Sequence, residues 1–203
     1  MIRSRYALFL GFALGLLAAV VVASLLLRKP YQYRGSLIEP ARPASDFTLT
    51  AGDGRPFTLS TQRGRAVLIF FGYTHCPDVC PVALSEYKQI RRRLGSTADS
   101  VTYLFITVDP ERDTPQVIGD YTGLFDPAII GLTGTLDALE PVWQAYGVVR
   151  TVHPPENGTY LVDHTARTYL IDLDGNLRLT YPFGFGAEGV AEDLLHLLAE
   201  RNE

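Results

Sequence analysis

The chain has 203 residues, 47% of them hydrophobic and 20% charged, with a formal net charge of −4. That balance describes one folded domain with an appendage and, lacking a basic excess, argues against nucleic acid as a partner. Two cysteines are too few for a disulfide scaffold, which a domain of this size does not need.

Tyr6 to Leu27 is an uncharged run of 22 residues rich in Leu, Ala, Val and Phe, flanked by Arg3 and Arg5 before it and Arg28 and Lys29 after it. At about 1.5 Å per residue a helix of that length spans ~33 Å, enough for a bilayer core. It exceeds the ~7–15-residue apolar core of a cleaved signal peptide. Residues 1–28 are therefore expected to form a single uncleaved membrane anchor. No transit-peptide-like stretch precedes it and a large domain follows it. The expected location is a bacterial inner membrane, single-pass, with the domain facing the periplasm. Residues 29–45 contain Pro and Arg without periodicity and read as a linker, which leaves residues 46–203 as the folded domain.

Within the domain, Asp46–Thr50 alternates, and Gly52-Asp53-Gly54 turns the chain into Pro56–Leu59, a β-hairpin. Arg65–Tyr73 reads as a buried strand, Ala83–Leu94 as a helix with Leu84, Tyr87 and Ile90 near helical spacing, and Val101–Val108 as a second strand. Thr114-Pro115 opens a helix to about Phe125, with the hydroxyl as cap and Pro at the first helical position. Ile129–Thr133 is a short strand and Leu136–Tyr146 a helix. Gly147–Thr165 fits no helix and has room for a short hairpin; long loops of this kind are often functional. Arg167–Asp172 and Leu177–Tyr181 pair across Asp174-Gly175-Asn176, and Ala187–Glu200 is the last helix. Alternating β and α units imply a central sheet covered by helices. With thiols at the first strand-to-helix turn, the order looks like an α/β thioredoxin-like fold with an added N-terminal β-hairpin and loop insertions.

The chemistry-bearing run is Phe71-Gly72-Tyr73-Thr74-His75-Cys76-Pro77-Asp78-Val79-Cys80-Pro81. A helix N-terminus lowers thiol pKa, and thiolate is the form that attacks disulfides and binds soft metals. Three residues separate the cysteines, where a dithiol oxidoreductase usually has two. The spacing allows a disulfide and equally suits two thiolates on one ion. His164 is the candidate third ligand, because the loop before the strand at Arg167 lies close to the first strand-to-helix turn in a thioredoxin-like sheet. Two sulfurs and an imidazole suit Cu(I) or Cu(II), whereas Zn(II) wants a fourth ligand. His75 adjoins the first thiol but is expected to point away from it. His153 is expected at the surface and His196 as a packing or surface residue. Asp78 is expected to bond the turn backbone, with Pro77 and Pro81 stiffening the turn. Asp109–Pro115 reads either as a charged loop and helix cap or as a loop that supports the site or docks a partner. Arg91-Arg92-Arg93 reads as a solvated helix end, and Trp143 and Tyr146 as core.

Three motifs then point one way. The cysteine run, Val108-Asp109-Pro110-Glu111-Arg112-Asp113-Thr114-Pro115, and Val162-Asp163-His164-Thr165 followed by Tyr169-Leu170-Ile171-Asp172 occur in the order of the Sco/SenC family of copper-binding assembly factors of cytochrome c oxidase, which the chain resembles over about residues 6–200. The resemblance implies a copper site of Cys76, Cys80 and His164. It also implies delivery of copper to the binuclear copper centre of oxidase subunit II, or reduction of that subunit's cysteines, with other copper chaperones or thioredoxin-like reductants as further partners. The alternative is a thiol–disulfide oxidoreductase in which Cys76 attacks and Cys80 resolves.

Overall fold

The structure, a computed structural model, describes residues 15–17, 19–20, 30–155 and 158–200. The expected anchor lies largely outside the described residues, and among them no helix is long and apolar enough to cross a membrane. The folded unit begins at Tyr33. Its strands are β1 (Ser36–Pro43), β2 (Thr48–Ala51), β3 (Pro56–Thr58), β4 (Ala66–Gly72), β5 (Val101–Thr107), β6 (Ile129–Thr133), β7 (Arg150–Val152), β8 (Val162–His164), β9 (Arg167–Ile171) and β10 (Asn176–Pro182). Its helices are α1 (Val79–Leu94), α2 (Pro115–Phe125), α3 (Leu136–Ala145) and α4 (Ala187–Glu200).

Eight strands form one sheet in the order β1-β10-β9-β4-β5-β6-β2-β3. β4 and β5 are apolar runs that pair in parallel, Ala66 opposite Val101 through Gly72 opposite Thr107, and every residue of both is buried. Burial at every position means that both faces of the sheet are covered, so these strands show continuous rather than alternating hydrophobicity. Fully buried side chains such as Leu68 and Ile69 each contribute about 1.5–3 kcal/mol by leaving water. β9 joins β4 antiparallel, with Val67 opposite Ile171, and so brings the end of the Gly147–Thr165 excursion to the edge where β4 runs into the cysteine turn. The excursion holds the expected hairpin, β7 with β8, in which Arg150 faces His164.

Three elements depart from the sequence reading. Ser36–Pro43, expected within the linker, is a strand antiparallel to β10 with a register irregularity between Leu37 and Arg42. It is an edge strand, mostly exposed and carrying two prolines, so it shows neither alternation nor an apolar run. Its approach is secured by Asp193, a buried carboxylate that accepts from the backbone N–H groups of Arg34 and Gly35 and from the Tyr181 hydroxyl. Helix α1 begins at Val79, ahead of the expected Ala83. Pro81 sits in its first turn, where the missing N–H has no intrahelical partner to lose. Arg91 turns inward from the expected solvated helix end and pairs with Asp126 at 2.6 Å. Thr114 caps α2 as expected, accepting from the Val117 N–H, and Trp143 and Tyr146 are core.

Candidate metal centre

Cys76 lies in the turn after β4 and is half-buried; Cys80 lies in the first turn of α1 and is buried. The two are free thiols. His164, at the end of β8, completes the group: the two sulfurs and one imidazole nitrogen lie within 4.8 Å of one another, with Cys80 Sγ 3.6 Å from His164 Nε2. His164 Nδ1 donates to the carbonyl of Thr165 at 3.3 Å, since that oxygen only accepts. In the neutral imidazole this leaves the Nε2 lone pair facing the sulfurs, the arrangement a metal-binding histidine requires. The ring stands edge-on between Phe70 (centroids 6.1 Å apart) and Tyr73 (5.9 Å), which fix its plane.

The two sulfurs differ in charge. Cys76 is pushed down to about 3, chiefly because the Cys80 thiol donates to it; burial opposes the shift, and the backbone N–H groups of Asp78 and Cys80 add to it. Cys80 is held far above the ordinary thiol value by that same shared proton, by burial and by the neighbouring Cys76 charge. The helix N-terminus was expected to favour thiolate at both sulfurs. The residue inside the helix keeps its proton and the one ahead of it carries the charge, because burial and a like-charged neighbour outweigh the dipole.

The backbone is shaped to this pair. A Cβ on Gly72 would fall 2.7 Å from Cys80 Sγ and 2.7 Å from the Phe105 ring, so only glycine lets β4 pass this close to the sulfur. Asp113, fully buried, accepts from the Thr74 hydroxyl at 2.6 Å, the Thr107 hydroxyl at 2.6 Å and the Thr74 N–H at 3.2 Å. It ties the second motif to the residue two ahead of Cys76. Gly72 is a supporting residue that sequence reasoning passed over, although it lies inside the quoted motif, and Asp113 bears out the site-supporting reading of the Asp109–Pro115 loop. Thr114, expected as a cap, carries the capping, and Asp113 beside it turns back to the site.

The other candidates fall outside the group. His75 is exposed, and its Nδ1 donates to the Thr74 hydroxyl at 3.0 Å, because that hydroxyl spends its own proton on Asp113. Asp78 is exposed and makes no cap hydrogen bond, contrary to the expected turn contact. His153 is at the surface, paired with Asp163 at 2.6 Å. His196 packs edge-on against Tyr33 and meets Glu200.

The donor set fits a soft metal. Three ligand atoms bound to one ion at about 2.0–2.3 Å are roughly 3.5–4 Å apart, so small side-chain rotations would close the three atoms onto an ion. Pro77, Val79, Leu161 and Ala166 form an apolar rim around an open recess, into which Cys76 and His164 open while Cys80 lies beneath them.

Fold and site together define a thioredoxin-like α/β domain bearing a Cys-Cys-His soft-metal centre. The chain belongs to the SCO1/SenC family, whose model matches residues 36–199. A copper-bound structure of Bradyrhizobium japonicum ScoI is 41% identical, with a TM-score of 0.71 over 77% of this chain and 99% of that one. The apo Sco1 structure from Thermus thermophilus is 35% identical, with a TM-score of 0.75 over 84% and 100%. The human mitochondrial SCO1 homolog is 43% identical over 132 residues, covering 64% of this chain and 44% of its own length. The chain thus spans about half the length, or less, of the first curated relatives it matches.

Proposed function

We propose that the protein is a membrane-anchored copper chaperone in which Cys76, Cys80 and His164 hold copper, and that it helps assemble the binuclear copper centre of cytochrome c oxidase subunit II. The observation that carries this is the convergence of two sulfurs and an imidazole nitrogen from two distant segments, within 4.8 Å, beside an open recess. Membership of the family and a copper-bound relative of 41% identity support copper as the ion. The copper is cargo. Half-exposed Cys76 is placed to exchange it, sulfur for sulfur, with a partner's thiolates, while buried Cys80 holds it from the inner side. The uncharged Tyr6–Leu27 run supports a single-pass anchor in a bacterial inner membrane with the domain in the periplasm. In an oxidising compartment loading also requires reduced cysteines, so thioredoxin-like reductants and other copper chaperones are the further partners.

Titration of the reduced full chain in detergent micelles with Cu(I) and with Cu(II) tests this reading. One equivalent is expected to bind, and Cys76→Ser to abolish stoichiometric binding; if neither ion binds, the chaperone reading fails.

A second reading, thiol–disulfide exchange on the cysteines of subunit II or another exported protein, is favoured by the charge asymmetry of the pair. Cys76 has the exposure and thiolate character of an attacking sulfur, and Cys80 the burial of a resolving one.

A further inference from the structure

His164 reaches the thiols on a hairpin that buries little of itself. Val162 is buried, but Val149, Val152 and Leu161 are 70%, 44% and 48% exposed. A two-stranded hairpin with so small an apolar face is marginal alone, yet a metal ligand has to be held to within about 0.5 Å. Something besides hydrophobic packing must hold it.

The second motif supplies that hold. Asp109, fully buried, receives the Arg112 Nε–H at 2.5 Å on one carboxylate oxygen and the Tyr160 hydroxyl at 2.7 Å on the other. Arg112 Nη1 donates to the Tyr160 carbonyl at 3.0 Å, and the guanidinium lies over the Tyr160 ring, 3.6 Å from its centroid. The three residues thus form a closed ring of contacts at the loop end of the hairpin. Two residues on from Tyr160, the Val162 N–H donates to the hydroxyl of Tyr73 at 3.3 Å, and the Tyr73 ring lies 5.6 Å from Arg112 and 5.9 Å from His164. The other arm is pinned to the same segment, where Arg150 Nε donates to the Val108 carbonyl at 2.5 Å. A buried charge pair is rarely a net source of stability, and removing one partner strands the other. What such a pair supplies here is a single defined position.

We propose that Arg112, closed with Asp109 and Tyr160 into one clasp, is the positioning residue that holds the His164 hairpin at the two thiols. The proposal rests on the reading that Cys76, Cys80 and His164 bind copper. Arg112 touches no donor atom and acts through His164. Its substitution therefore weakens the nitrogen's share of the site and leaves the sulfurs' share intact. Arg112→Lys keeps the charge on Asp109 but cannot serve Asp109 and the Tyr160 carbonyl from one rigid fork, so it restores the hold in part.

The test compares Arg112→Met, Arg112→Lys and Tyr160→Phe in the full chain, each alone and combined with His164→Ala. Arg112→Met is expected to lower Cu(II) affinity about tenfold and to shift the sulfur-to-copper absorption toward that of His164→Ala. Neither it nor Tyr160→Phe should lower affinity further once His164 is absent. In the metal-free protein, amide exchange at Leu161–His164 should rise about tenfold in Arg112→Met while β4 and β5 stay protected. Tyr160→Phe, which removes one hydroxyl and keeps the ring, carries the test should Arg112→Met fail to fold. Wild-type affinity together with unchanged exchange overturns the proposal, and so does an equal loss with and without His164. If the wild-type chain binds no copper, the chaperone reading falls, and the exchange measurement alone decides whether the clasp holds the hairpin.

Discussion

The two segments that meet at the metal centre are built on opposite principles. The cysteine turn grows out of β4, which is buried along its whole length between β5 and β9, and is closed by the buried Asp113 carboxylate. The histidine hairpin stands off the main sheet and is held by polar bonds to the 107–113 segment. One ligand pair is thus placed by hydrophobic burial and the third ligand by side-chain bonding. The first arrangement resists deformation because packed cores transmit strain and rearrange only with cost. The second depends on a few specific contacts, so a single side-chain change is enough to loosen the hairpin.

Three measurements break or sharpen this contrast. The largest effect concerns the asymmetric thiols. With its value pushed down to about 3, Cys76 remains thiolate at every pH above that and loses charge only as pH falls through it. The thiolate fraction of an ordinary thiol with a pKa near 8.5 falls about 300-fold between pH 7.5 and 5.0. Alkylation of Cys76 by iodoacetamide, read site by site by mass spectrometry, is expected to change by less than about twofold over that range, with Cys80 unreactive. A 300-fold fall would show that the two sulfurs do not share a proton.

His164→Ala removes the hairpin's imidazole alone. Copper affinity is expected to fall by at least about tenfold, while the rate at which the dithiol reduces a small disulfide stays within about twofold of wild type. If reductase activity falls in step with copper binding, the hairpin does more than supply a ligand.

Gly72→Ala attacks the packed side instead. Its methyl group meets Cys80 Sγ and the Phe105 ring at 2.7 Å, and overpacking of this kind costs about 1–3 kcal/mol. Thermal unfolding should register that loss together with weaker copper binding. Val152→Ala, on the exposed outer face of the hairpin, should stay within about 0.5 kcal/mol of wild type. Equal losses from the two substitutions would erase the distinction between the segments.

How much of this could be read in advance follows the same division. The strands β4 and β5 announce themselves as unbroken apolar runs, and Thr114-Pro115 as a helix start, because burial and capping leave marks on neighbouring residues. The three residues that come together at the site were also legible, the cysteines by their place after a buried strand and His164 by its place before another. Edge strand β1 was not, since an exposed strand with Pro40 and Pro43 shows no period. Nor was the start of α1, where Pro81 in the first turn hides a helix that already contains Cys80.

The sequence by itself therefore determined the α/β architecture, the pair of thiols and the chemical type of the centre, because hydrophobic periodicity and donor identity are local properties. Tertiary structure alone decided which thiol carries the charge, why residue 72 has no side chain, and how Asp109, Arg112 and Tyr160 close on one another. Those depend on distances between segments far apart in the chain. Burial and hydrogen bonding at such distances are set by how the sheet and the hairpin pack, and no spacing along the chain encodes them.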